Sequence, residues 1–150
     1  LDGVLAGAGD ADIRHRTLYR VHQRVAKKFR KGRAFLVGDA AHINNPLGGM
    51  GMNGGIHDAV NLTGLLAEVW NSNADIDDLN LYDRQRRTVT LDAVQKQTIQ
   101  NKRDLEAVSE GYQTDFRSRL HQALASEEET RGYLQRLAMI ASLKQAAAIR

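Results

Sequence analysis

The sequence contains no cysteine. That removes disulfides, iron–sulfur clusters, thiolate zinc sites and cysteine nucleophiles together, and it fits a reducing compartment such as the cytoplasm. Any cofactor must be held by other groups. No apolar run approaches the ~20 residues needed to cross a bilayer, so no membrane span is expected. The opening Leu1-Asp2-Gly3 carries neither an initiator methionine nor a signal-peptide pattern, and the chain is read as a piece cut from a longer one. Proline is almost missing: after Pro46, residues 47–150 hold no proline stop, which predicts long helices. The five histidines, His15, His22, His42, His57 and His121, contain no HxxxH pair, so no metal site is expected.

What is present belongs to an ordinary soluble domain. With 42% hydrophobic and 26% charged residues in 150, the chain can bury one core. The net charge of +3 hides an uneven distribution. Nine of the 21 basic residues fall between Ile13 and Arg33, where there is no acid, leaving 12 basic against 18 acidic residues elsewhere. Only Tyr19 and Phe29 interleave with this stripe, too few stacking aromatics for a nucleic-acid surface, and nucleic acid is not an expected partner. The stripe reads as a solvated strand face followed by a solvated turn; a nicotinamide phosphate on Lys27, Lys28, Arg30 and Lys31 is the functional alternative.

Leu1 to Asp12 reads as a loop or frayed end. From Ile13 to Val21, Ile13, Thr17, Tyr19 and Val21 alternate with Arg14, Arg16, Arg20 and His22, the period of a strand with one wet face. Gln23 to Arg30 reads as a short helical turn, broken by Lys31-Gly32-Arg33. Ala34-Phe35-Leu36-Val37 is apolar without alternation and bounded by Gly32 and Gly38, the pattern of a strand buried on both faces of an α/β sheet.

Seven of the 13 glycines lie between Gly32 and Gly55. After them Ile56, Ala59, Val60, Leu66 and Val69 recur at helical spacing, predicting a helix that starts near Met52 or Asn53. Glycines at the end of such a loop let backbone approach a flat ligand, and a helix N-terminus aims unpaired N–H groups and about half a positive charge at it. Asp39 stands at the carboxyl end of the strand, where open α/β sheets bind ligands, and its carboxylate can accept hydroxyl protons from a ribose or ribityl chain. Neither GxxxxGK[ST] nor GxGxxG occurs, so an ordinary nucleotide cradle is not matched. His42 reads as bonded within its own loop, Asp58 as holding the glycine loop, and Met50 and Met52 equally as packing or as ligand contacts.

The ordered string Gly32-Arg33-Ala34-Phe35-Leu36-Val37-Gly38-Asp39-Ala40-Ala41-His42, Pro46, Gly48-Gly49, Gly51, Asn53, Asp58-Ala59 and Asn61-Leu62 resembles the second flavin motif of the FAD-dependent aromatic hydroxylases, the para-hydroxybenzoate hydroxylase type. Tyr82-Asp83-Arg84-Gln85-Arg86-Arg87 resembles that family's Tyr-x-x-Glu-Arg helix, with Gln85 in the glutamate's place. The resemblance implies an α/β fold, the C-terminal fragment of an FAD-binding Rossmann-like domain with a long helical tail. It implies that Asp39 binds the ribityl hydroxyls of FAD and that Gly38 ends the strand beneath it. Pro46 would lie beside the flavin ring, and Gly49, Gly51, Met52 and Asn53 would line its pyrimidine end. The implied chemistry is hydroxylation of an aromatic or similar cyclic substrate with O2, using NAD(P)H as reductant; no residue receives a catalytic role. Two departures stand out: Asn45 replaces a frequent proline, and Met50 a frequent glutamine.

The chain divides into residues 1–31 as the end of a substrate domain, 32–73 as the FAD-binding strand, glycine loop and helix, and 74–150 as the helical tail. In the tail, Glu127, Glu128 and Glu129 mark a helix start, and Tyr133, Leu134, Leu137, Ile140 and Ala141 continue its apolar stripe. The other readings kept open are a non-catalytic helical and sheet interaction module with a basic face, and a flavin halogenase or dehydrogenase using the same motif.

Overall fold

The computed structural model describes residues 12, 14–106 and 109–150. The expected loop at Leu1 to Asp12 therefore lies, but for Asp12, outside the described residues. The elements are strands β1 (Arg24–Val25), β2 (Arg30–Lys31) and β3 (Ala34–Phe35), a 3-10 turn (Gly38–Ala40), strand β4 (His42–Ile43) and helix α1 (Met50–Trp70). A second 3-10 turn (Ile76–Leu79) leads into α2 (Asn80–Tyr82), which runs on through two π-helical segments (Asp83–Arg87 and Thr90–Gln95) into α3 (Lys96–Glu106). Helices α4 (Glu110–Ala123), α5 (Glu127–Leu137) and α6 (Ile140–Ala148) follow.

The strands make two antiparallel pairs. β1 pairs with β4 in the register Arg24↔Ile43 and Val25↔His42, and β2 pairs with β3 in the register Arg30↔Phe35 and Lys31↔Ala34. The β2–β3 hairpin turns at Gly32, whose φ of 59° is open to glycine at no steric cost.

Three local expectations are corrected. Residues 14–21 belong to no regular element, and Leu18, Tyr19 and Val21 are exposed. Alternation marks an apolar face but supplies no partner, and neither described sheet reaches this segment; Ile13 lies outside the described residues. Gln23 to Arg30 is not a helical turn: Ala26 N–H donates to the Ala41 carbonyl at 2.8 Å, so the backbone bonds across to the β4 side instead of along a helix. The Ala34 to Val37 run is not buried on both faces, since Phe35 and Val37 pack inward while Ala34 and Leu36 are exposed.

The core gathers Phe29, Ala41, Leu62 and Tyr82, with Val25, Ala26, Phe35, Val37 and Leu65 around it. A second cluster joins Met50 at the start of α1 to Val94 and Met139. In the tail, Ser126 caps α5, its hydroxyl accepting from Glu129 N–H, and the three glutamates occupy the first turn. The stripe that continued to Ala141 is split, because Met139 turns left-handed at φ 60° and begins α6.

Candidate functional site

Asp39 sits within a turn made possible by two glycines. Gly38 has φ 58°, and a Cβ on Gly55 would lie 3.2 Å from the Gly38 Cα, so the 3-10 turn and α1 meet backbone to backbone. This contact holds Asp39 beside the first turns of α1. Its carboxylate is exposed and, among the described residues, has no hydrogen-bond or ion-pair partner.

Beneath it lies a buried polar hub. Asp58, withdrawn from solvent, accepts from Gly38 N–H at 3.1 Å, pairs with His42 Nε2 at 2.7 Å and accepts from Arg86 Nε at 2.7 Å. Burial pushes its carboxyl up, but the hydrogen bonds from His42 and Arg86 outweigh that and hold it below the ordinary carboxylate value. Asp58 thus fixes the strand end by the amide directly before Asp39. The main partner of His42 is this aspartate on α1, not its own loop; the Asn44 Nδ2 contact to His42 Nδ1 is 3.4 Å. Arg86 enters from the first π-helical segment; just before it, Tyr82 at the end of α2 donates its O–H to the Leu36 carbonyl at 2.6 Å, and within it Gln85 bridges Asn61 and the Ile149 carbonyl. The stretch Tyr82 to Arg86 therefore clamps strand end, α1 and α6 together.

Helix α1 begins at Met50, earlier than the pattern implied, because Gly49 adopts a left-handed N-cap at φ 64°. No side chain caps this end and no acid stands in its first turn, so its leading N–H groups and the positive end of its dipole are bare. A Cβ on Gly49 or Gly51 would meet nothing within 4 Å. Met52 is 75% exposed, whereas Met50 is 2% exposed and belongs to the core. Asn53 is exposed and donates from Nδ2 to the Gly49 carbonyl at 3.1 Å. Pro46, Gly49, Met52, Asn53 and Asp39 all present exposed surface, and a flat, electron-rich group with hydroxyls fits the combination of bare N–H groups, space above the glycines and a free carboxylate.

Sequence reasoning placed Arg86 in a motif without giving it a role, and missed a set of amides (Gln23, Gln95, Asn101) that tie the Pro46 loop to the long helix from behind. Their signal was an amide or hydroxyl at every third position, Gln95, Thr98 and Asn101, in a helix read only for apolar spacing. The basic cluster remains as read at Lys27, Lys28 and Lys31, which are exposed; Arg30 lies over the Phe35 ring, 5.6 Å from its centroid. Among the described residues no group of His, Asp or Glu is arranged to hold a metal, and no helix is long and apolar enough to cross a membrane.

The family described as FAD binding domain matches residues 4–97, and the chain belongs to it. Among curated proteins it is 45% identical over 92 residues to the para-nitrophenol 4-monooxygenase of Pseudomonas sp. (strain WBC-3), covering 59% of this chain and 23% of that protein. It is 41% identical over 87 residues to 6-hydroxy-3-succinoylpyridine 3-monooxygenase HspB of Pseudomonas putida (strain DSM 28022 / S16), covering 58% of this chain and 22% of that one. The solved structure of p-nitrophenol 4-monooxygenase PnpA from Pseudomonas putida DLL-E4 superposes with a TM-score of 0.72 at 34% identity, over 79% of this chain and 31% of that one. The aromatic hydroxylase CabE from angucycline biosynthesis gives 0.67 at 28% identity, over 79% and 24%. The chain thus spans about a fifth of the length of these curated relatives.

Proposed function

We propose that this chain forms the ring and ribityl side of the flavin site in an FAD-dependent monooxygenase that hydroxylates an aromatic or similar cyclic substrate with O2 and NAD(P)H. The observation that carries the reading is the free, exposed Asp39 carboxylate held beside the uncapped start of α1, in a chain of the FAD binding domain family. Asp39 accepts hydroxyl protons from the ribityl chain, and Gly38 gives it its place. Pro46 borders the ring, while Gly49, Gly51, Met52 and Asn53 surround its pyrimidine end. FAD, when bound, supplies the redox and oxygen chemistry. The chain's part is electrostatic: the bare N–H groups of α1 stabilise negative charge at the adjacent edge of the ring.

In this reading residues 1–31 end a substrate domain, 32–73 carry the flavin contacts and 74–150 brace them. The relatives named for nitrophenol and hydroxypyridine substrates support a small oxygenated aromatic as the substrate class, and the reductant and the lack of cysteine suit the cytoplasm.

The test is the purified protein carrying this segment. It should show a flavin spectrum perturbed by phenols, oxidise NAD(P)H faster in their presence, and place one atom of isotopically labelled O2 in the product. Flavin with no oxygen incorporation would make it a dehydrogenase, a halogenated product a halogenase, and no flavin would leave an interaction module.

A further inference from the structure

The loop from Asn44 to Gly49 has no regular structure, and two of its glycines hold left-handed backbone, Gly48 at φ 101° and Gly49 at φ 64°. On one side it borders a cavity of about 750 Å³, lined among others by Pro46, Leu47, Gly48, Asn101, Phe116 and Tyr133. With open space there, packing alone does not fix the loop. Hydrogen bonds from the long helix do. Gln95 Nε2 donates to Asn44 Oδ1 at 2.7 Å, and Asn45 Nδ2 donates to the Thr98 carbonyl at 3.0 Å. Asn101 Nδ2 donates to the Leu47 carbonyl at 3.1 Å. Gln95, Thr98 and Asn101 follow at intervals of three and form one helix face, so the loop is tied at three successive rungs.

Two details show how closely the parts are fitted. Asn45 is 5% exposed and uses its whole amide: Nδ2 also donates to Gln23 Oε1 at 2.8 Å, while Oδ1 accepts from Leu47 N–H at 3.1 Å. Gln23 in turn donates to the Gln95 carbonyl and the Thr98 hydroxyl, closing the junction. At Gly48 a Cβ would overlap the Asn101 amide, so the helix side chain occupies the space that the glycine leaves.

The loop ends at Gly49, the N-cap of α1, so whatever holds the loop also sets the first N–H groups of that helix. We propose that Asn45 and Asn101 are positioning residues: they clasp the Pro46–Gly49 loop to the helix at 90–101 and thereby set how the flavin ring is seated. This rests on the flavin reading above and adds to it a route by which the tail controls ring binding without touching the ring.

The experiment compares Asn45→Ala and Asn101→Ala with Val89→Ala in the flavin-loaded protein. Val89 is fully buried in the same helical run, and its truncation lowers stability without cutting a bond to the loop. FAD dissociation constants by flavin fluorescence and the visible flavin spectrum are read beside thermal midpoints. The two clasp variants should weaken FAD about tenfold or more and shift the flavin bands, while Val89→Ala lowers the midpoint and leaves FAD affinity within twofold. Clasp variants that stay within twofold, or three variants whose affinity loss simply follows their midpoints, would overturn the proposal. Should Asn45→Ala not fold, the half-buried Asn101 carries the test by itself. Absence of FAD from the unsubstituted protein would instead remove the flavin reading, and the proposal with it.

Discussion

Arg86 Nε lies 2.7 Å from Asp58 Oδ1 with both side chains withdrawn from water, so a charge on the π-helical segment and one on α1 neutralise each other directly beneath the Asp39 turn. Arg86 Nη1 and Nη2 have no hydrogen-bond partner among the described residues, so Asp58 is the main compensation this buried cation has. A buried pair of this kind is weak as a source of stability and costly to break on one side only.

The first expectation follows from that asymmetry. Asp58→Asn keeps the side chain's shape but leaves Arg86 buried without its counter-ion, and should destabilise the protein by about 3–5 kcal/mol. Urea unfolding followed by circular dichroism measures it. A loss under about 1 kcal/mol would mean that Arg86 is relieved by solvent instead.

The same aspartate sets an acid limit. Its carboxyl sits below the ordinary value because hydrogen bonds from His42 and Arg86 outweigh the upward push of burial. A depressed folded-state pKa contributes stability that is full above the unfolded value, about 3.9, and is lost as pH falls through the folded value. Stability should therefore drop below about pH 4, and the Asp58→Asn protein should show a shallower acid slope. Equal slopes in the two proteins would exclude Asp58 as the titrating group.

Two glycines in α1 should respond in opposite ways. A Cβ on Gly55 would press at 3.2 Å on the Gly38 backbone, so Gly55→Ala should destabilise by about 1–3 kcal/mol despite alanine's better helix propensity. At Gly51 the space is open and φ is not left-handed, so Gly51→Ala should stabilise the flavin-free protein by up to about 1 kcal/mol. It should nevertheless weaken FAD, because the added methyl occupies the space reserved for the ring. Unchanged FAD affinity would move the ring away from Gly51.

Much of the candidate site's geometry was legible because its parts are local. Gly38, Asp39, the glycine loop and the following helix are contiguous, and each needs a residue type that stands out in a string. The strands were less legible. Val25 and Ala34 pair with partners well along the chain or across a turn, and alternation from Ile13 to Val21 says which face is apolar without saying what lies beside it. The helix start was placed late because a glycine N-cap such as Gly49 carries no side-chain signal. Arg86 was legible as part of a motif but not in its role, and Asn101 only as one of three polar residues at every third position, since a buried arginine and a loop-binding amide look in sequence like ordinary polar positions on a solvated helix.

The most direct test of the account is the FAD affinity of Asp39→Ala in the flavin-loaded protein. Asp39 is exposed and bonded to nothing else among the described residues, so its removal should leave folding and helical circular dichroism unchanged. Losing a charged acceptor of ribityl hydroxyls should weaken FAD by about 1.5–3 kcal/mol, roughly ten- to a hundredfold or more. Full retention of flavin on dialysis, with a dissociation constant equal to that of the unsubstituted protein, would contradict the central claim.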